Sequence, residues 1–82
     1  MNENRKKLKS LLLEVFMLNE DEFHFDLKKT DIATWDSLGV VSMAVGIQET
    51  FGYHFAPEQA VGIASVSDII EILTEKGIRF DE

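Results

Sequence analysis

A stripe of apolar residues at helical spacing near the start of the chain constrains the fold most. Between Glu3 and Leu18, the residues Leu8, Leu11, Leu12, Val15 and Phe16 recur at i, i+3, i+4, i+7 and i+8. That spacing lines up along one side of a 3.6-residue helix. A helix of this kind has one side to bury and needs other elements to cover it. With one proline and five glycines among 82 residues, the chain has few places to interrupt regular structure, so those elements are predicted to be helices too. A chain this short buries only about 60 % of its unfolded surface. Every apolar face is then needed for one core, and residues 1–82 are expected to form a single domain.

The acidic run from Asn19 to Glu22 is predicted to end the first helix. From there to Trp35 no helical period is sustained, and the stretch reads as a long ordered loop. Alternation at Phe23, Phe25 and Leu27 would suit a strand, but one strand without a partner leaves its backbone groups unpaired. A loop pinned by aromatic side chains, with Trp35 at its far end, is the better reading. A second helix is predicted to begin at Asp36 or Ser37, both good N-caps, and to run through Leu38, Val41, Met43, Ala44, Val45, Ile47 and Phe51 to Gly52. Pro57 suits a first helical turn, so Glu58 to Val61 is predicted as a short third helix ended by Gly62. In the last helix Ser65 and Asp68 have a capping-box-like spacing, Val66, Ile69, Ile70 and Leu73 form the stripe, and Gly77 is the stop. Ile78 to Glu82 is expected to fray. The predicted fold is all-α: a small antiparallel four-helix bundle of three longer helices and one short one, with a long loop between the first and second.

Composition excludes several functions. The chain has no cysteine, hence no disulfide framework, thiolate metal site or cysteine nucleophile. The net charge is -7, all of it carried from Asp31 onward, which argues against nucleic acid and for basic protein partners. The longest apolar runs are broken by Glu14 and fall far short of the roughly 20 residues of a membrane span. The expectation is a cytoplasmic protein. His24 with Glu22 and Asp26, and His54 beside Tyr53, read as solvated groups rather than a metal site. The acidic clusters lack the Asp-x-Asp-x-Asp-Gly spacing of a calcium loop, and no oxyanion-hole motif accompanies Ser37. No metal site and no catalytic residue are predicted.

Taken alone, Asp36-Ser37 at a helix start is a cap. Here the pair follows a long loop, precedes Leu38, opens the broadest apolar helix, and is trailed by a short helix and a capped final one. With these features the chain resembles the acyl carrier protein family, whose signature is Asp-Ser-Leu at the start of the second helix of a four-helix bundle. The resemblance continues through Phe51, then Glu58, Ala60 and Ile63, and into Val66-Ser67-Asp68-Ile69-Ile70. It implies a carrier and not an enzyme. Ser37 Oγ would receive 4′-phosphopantetheine from coenzyme A, joined as a phosphodiester by a separate phosphopantetheinyl transferase. Asp36 would cap the helix, help bring the transferase's metal ion to the serine, or do both. The free N–H groups and partial positive charge of a helix N-terminus suit an attached phosphate. The missing cysteine fits as well, because the arm would supply the only thiol. It would also act as a tether, delivering its acyl group at high effective concentration.

The resemblance further implies partner recognition through the second helix and the short third one, where acids usually meet basic patches. Gly39, Ser42 and Val61 stand where acids are common, while Glu49 and Glu58 remain. Exposed Val40, Val41 and Val45 are expected to replace charge by apolar contact. The acyl-loading and acyl-accepting enzymes would therefore present basic or apolar docking patches. Trp35, in place of the more frequent glycine, also points to a pathway-specific carrier. The positions matching the family's acyl pocket are Ile47, Ala60, Ile63 and Ile69, which read equally well as core. Bulky Ile69, where alanine is common, favours short or polar cargo. The expected function is a monomeric carrier of acyl thioesters in a fatty-acid, lipid or specialised-metabolite pathway. Two alternatives stand beside it: a D-alanyl or other aminoacyl carrier, and an unmodified helical interaction module in which Ser37 is only a cap.

Overall fold

A computed structural model describes residues 3–80 of the chain. The first apolar stripe forms α1, Glu3–Val15, and buries Leu8 and Leu12 with Phe16 just beyond. The helix stops short of Leu18 because Met17 turns left-handed at φ 55°, and the Leu18 N–H reaches back to the Leu13 carbonyl at 2.9 Å. This is a Schellman closure, usually built on glycine. No glycine marks it here.

The loop carries two 3-10 turns, Glu20–Glu22 and Lys29–Asp31. Each is closed by an acid that accepts from the backbone N–H three residues back: Glu22 Oε1 from Asn19 at 2.8 Å and Asp31 Oδ2 from Lys28 at 3.1 Å. Among the described residues no strand forms. Phe23 and Phe25 meet edge to face at 5.0 Å, and Leu27, Ile32 and Trp35 are buried. Backbone bonds tie the loop to the far side of the molecule, from the Lys29 N–H to the Ala64 carbonyl at 2.7 Å and from the Val66 N–H to the Leu27 carbonyl at 3.0 Å.

Three further helices follow: α2, Ser37–Phe51; α3, Pro57–Gly62; and α4, Val66–Glu75. Gly52 ends α2 at φ 77°, as the sequence predicts. Gly62 is the last residue of α3 and not its stop; Ile63 ends the helix by turning extended. At the start of α4, Ser65 Oγ accepts from the Asp68 N–H at 3.1 Å. The Asp68 carboxylate accepts from Ala64, one residue before the position a capping box would use. Gly77, at φ 90°, closes α4 with the Ile78 N–H on the Leu73 carbonyl at 3.0 Å.

The expected frayed end is corrected as far as Phe80. That side chain is 2 % exposed and packs against Phe51 with ring centroids 5.8 Å apart. Asn4 Nδ2 donates to the Arg79 carbonyl at 2.8 Å, and Arg5 Nε donates to that of Phe80. A core this small gains from every aromatic ring it can cover. Asp81 and Glu82, which the expected frayed end included, lie outside the described residues. The result is an all-α bundle of three longer helices and one short helix around one apolar cluster, with no buried polar or charged residue among those described.

Candidate functional site at the start of helix α2

The N-terminus of α2 is held from two directions. Asp36, extended at φ -113° and ψ -167°, is the N-cap, and its Oδ1 accepts from the Gly39 N–H at 2.9 Å. The Val40 N–H bonds to the Asp36 carbonyl at 2.9 Å and closes the first turn. Ser37 and Leu38 then occupy the first two helical positions, whose N–H groups have no intrahelical acceptor. Both residues are exposed. From the loop side, Thr34 Oγ1 donates to the Phe16 carbonyl at 2.8 Å, and the Trp35 indole stacks on Phe16 with centroids 4.9 Å apart. The serine thus stands on a turn braced against the end of α1.

Trp35 and Gly39 belong to that brace. The indole Nε1 is buried without a hydrogen-bond partner, at a cost of about 1–3 kcal/mol. The large apolar area of an indole and its stacking offset that cost. A Cβ on Gly39 would overlap the Thr34 carbonyl oxygen and press on Phe16 Cε1 at 3.0 Å. Gly39, read from sequence as a change of docking surface, is therefore buried packing. An acid there would have no room.

Val41, Val45, Glu49 and Glu58 are exposed. The expected exposure of Val40 is corrected: it is 8 % exposed, because it lies on the same side of α2 as Met43 and Ile47, which face the core. Leu38 and Val61 are exposed apolar residues instead. The spacing of Leu38, Val41 and Val45 at i, i+3 and i+7 was the signal for the first of these. Ile47, Ile63 and Ile69 are at most 1 % exposed and Ala60 is 6 % exposed, so all four sit in the core. Of them, Ala60 also borders a groove of about 260 Å³ between α2 and α3, lined by Val41, Val45, Phe55 and Pro57 among others.

Among the described residues, no group of three or more His, Asp or Glu side chains is placed to hold a metal ion. His54 Nδ1 lies 2.9 Å from Gln48 Oε1, which is about 16 Å along α2 from Ser37 at about 1.5 Å per residue. It forms no pair with the serine. Among the described residues, no helix is long and apolar enough to cross a membrane.

No family model matches the chain. Curated relatives do. It is 30 % identical over 69 residues to an acyl carrier protein of Clostridium perfringens (strain 13 / Type A), covering 84 % of this chain and 91 % of the relative. An acyl carrier protein of Coprothermobacter proteolyticus is 28 % identical over 68 residues, 83 % of each chain. One of Petrotoga mobilis is 28 % identical over 71 residues, 87 % of this chain and 84 % of the relative.

Proposed function

Because the chain belongs to the acyl carrier protein family, we propose that it carries acyl groups as thioesters on a 4′-phosphopantetheine arm attached to Ser37 Oγ. It is a carrier and not an enzyme. The observation that carries the attachment is the exposed Ser37 as first residue of α2, behind the Asp36 cap. The residue is exposed, so a transferase can reach it. The unpaired N–H groups of Ser37 and Leu38 favour a phosphate on that oxygen. Asp36 uses one carboxylate oxygen on the Gly39 N–H, which leaves the other for a divalent ion brought by the transferase.

The arm supplies the thiol that a chain without cysteine lacks. A core in which Ile47, Ile63 and Ile69 are at most 1 % exposed leaves a long chain no space without displacing side chains, so short or polar cargo is favoured. We place the protein in the cytoplasm as a one-domain monomer. It serves acyl-loading and acyl-accepting enzymes of a fatty-acid, lipid or specialised-metabolite pathway.

Incubation with coenzyme A, magnesium and a broad-specificity phosphopantetheinyl transferase, followed by intact mass, tests the attachment. The mass should rise by one phosphopantetheine, and the rise should vanish in Ser37→Ala. No rise with several transferases would leave the unmodified interaction module as the better reading. Intact mass of protein taken from its host reads the cargo, and a long-chain adduct would overturn the preference for short or polar groups.

A further inference from the structure

We infer that the Trp35 indole N–H is a docking group for the arm, donating to one of the arm's amide carbonyls once the arm is attached at Ser37. This deepens the carrier reading and rests on it. Among the described residues, Trp35 Nε1 is the only buried side-chain nitrogen or oxygen without a hydrogen-bond partner. Native proteins keep few such groups, because a buried donor that has lost water and found no acceptor is destabilising. Packing does not account for this one. The stack on Phe16, with centroids 4.9 Å apart and planes 20° apart, needs an aromatic ring but no donor, and phenylalanine would supply it. Tryptophan adds an N–H that nothing in the fold uses.

Its place in the chain puts that N–H near the arm's root. Trp35 lies two residues before Ser37, at most about 7 Å of extended backbone. Phe16 touches both sides of the site: it stacks on the indole, and its Cε1 lies 3.0 Å from where a Cβ on Gly39 would stand in the first turn of α2. An arm leaving Ser37 Oγ therefore starts beside the indole.

The chemistry of the arm selects the acceptor. Its phosphodiester is matched by the unpaired N–H groups at the start of α2, and drawing that charge in among Phe16 and Trp35 would be costly. The amide carbonyls further along are neutral acceptors, which an N–H in apolar surroundings can take without stranding a charge. Because Nε1 is covered, the bond forms when the ring tilts on Phe16 and brings its N–H edge to the arm. Expelling the indole would uncover more apolar area than one hydrogen bond offsets. An arm held near its root sweeps its thiol through a smaller volume.

The test reads the protein itself and needs no partner-enzyme turnover. Wild type and Trp35→Phe are prepared with and without the arm, intact mass confirming each state. Both are melted, and the wild type is followed by proton–nitrogen NMR, where the single tryptophan gives one indole N–H signal. Wild type should gain about 4–8 °C in Tm on arm attachment, and Trp35→Phe less than about half of that gain. Each chain is its own reference, so the packing lost with the smaller ring cancels. The wild-type indole signal should move downfield on attachment and stay in place in Ser37→Ala treated identically. Equal Tm gains in the two chains, or an indole signal that the arm leaves unmoved, overturn the inference, while the mass gain keeps the carrier reading. Should Trp35→Phe fail to fold, the indole signal decides alone. If the wild type accepts no arm from any of several transferases, the carrier reading falls and this inference falls with it.

Discussion

Asp36 is where cap and chemistry meet in a single side chain. Its Oδ1 accepts from the Gly39 N–H at 2.9 Å, and removing such a cap costs about 0.5–2 kcal/mol. Asparagine caps as well as aspartate but carries no charge for a metal ion. Asp36→Ala should therefore lower stability by about 1 kcal/mol, or about 4–8 °C in Tm for a domain of this size. Asp36→Asn should melt close to wild type. If the carboxylate also brings the transferase's metal to Ser37, Asp36→Asn should slow arm transfer by about tenfold or more, a barrier change of about 1.4 kcal/mol. Thermal melts and single-turnover transfer on both variants check this. Wild-type transfer by the asparagine variant would reduce Asp36 to a cap. Asp36 was readable in the sequence as a cap because capping depends on local spacing. Trp35 was readable only as a large ring at the end of a loop, since its partner Phe16 lies 19 residues earlier and stacks on it only once α1 and the loop meet.

At the scale of elements, two glycines in helices separate propensity from packing. In sequence Gly39 lies inside a predicted helix and Gly62 reads as the end of one; in the structure both are helical, where alanine is favoured by about 1 kcal/mol. In the fold a Cβ at Gly62 meets nothing within 4 Å, while one at Gly39 overlaps the Thr34 carbonyl. Gly62→Ala should then stabilise by about 0.4–1 kcal/mol. Gly39→Ala should destabilise by about 1–3 kcal/mol, because the obstruction is backbone and not a side chain that can rotate away. Urea unfolding of both reads the sign directly. A stabilising Gly39→Ala would mean that the Thr34–Trp35 segment does not sit against α2 as described. The ends of α2 and α4 were legible because Gly52 and Gly77 are local signals. The end of α1 was not, since Met17 takes the left-handed turn that glycine usually marks.

At the scale of the whole molecule, the start of α1 is joined to the last described residues. Phe80 is 2 % exposed against Phe51, and the backbone beside it accepts from Asn4 and Arg5. Phe80→Ala should cost about 3–5 kcal/mol, a large share of the 5–15 kcal/mol typical of a domain. A truly frayed residue would change stability by less than about 0.5 kcal/mol. A melt of Phe80→Ala within a few degrees of wild type would restore the frayed tail. Helix number, order and capping, the serine at the head of α2 and the absence of any thiol all follow from spacing and residue type within a few residues, so they can be read along the chain. Contacts between distant segments decided the remaining features. They docked Phe80 on Phe51, pinned Leu27 and Lys29 to the α3–α4 junction, turned Val40 inward, and left Leu38, Val41, Val45 and Val61 outside. Periodicity shows that a helix has an apolar face, but only the neighbours that arrive decide how much of that face stays uncovered.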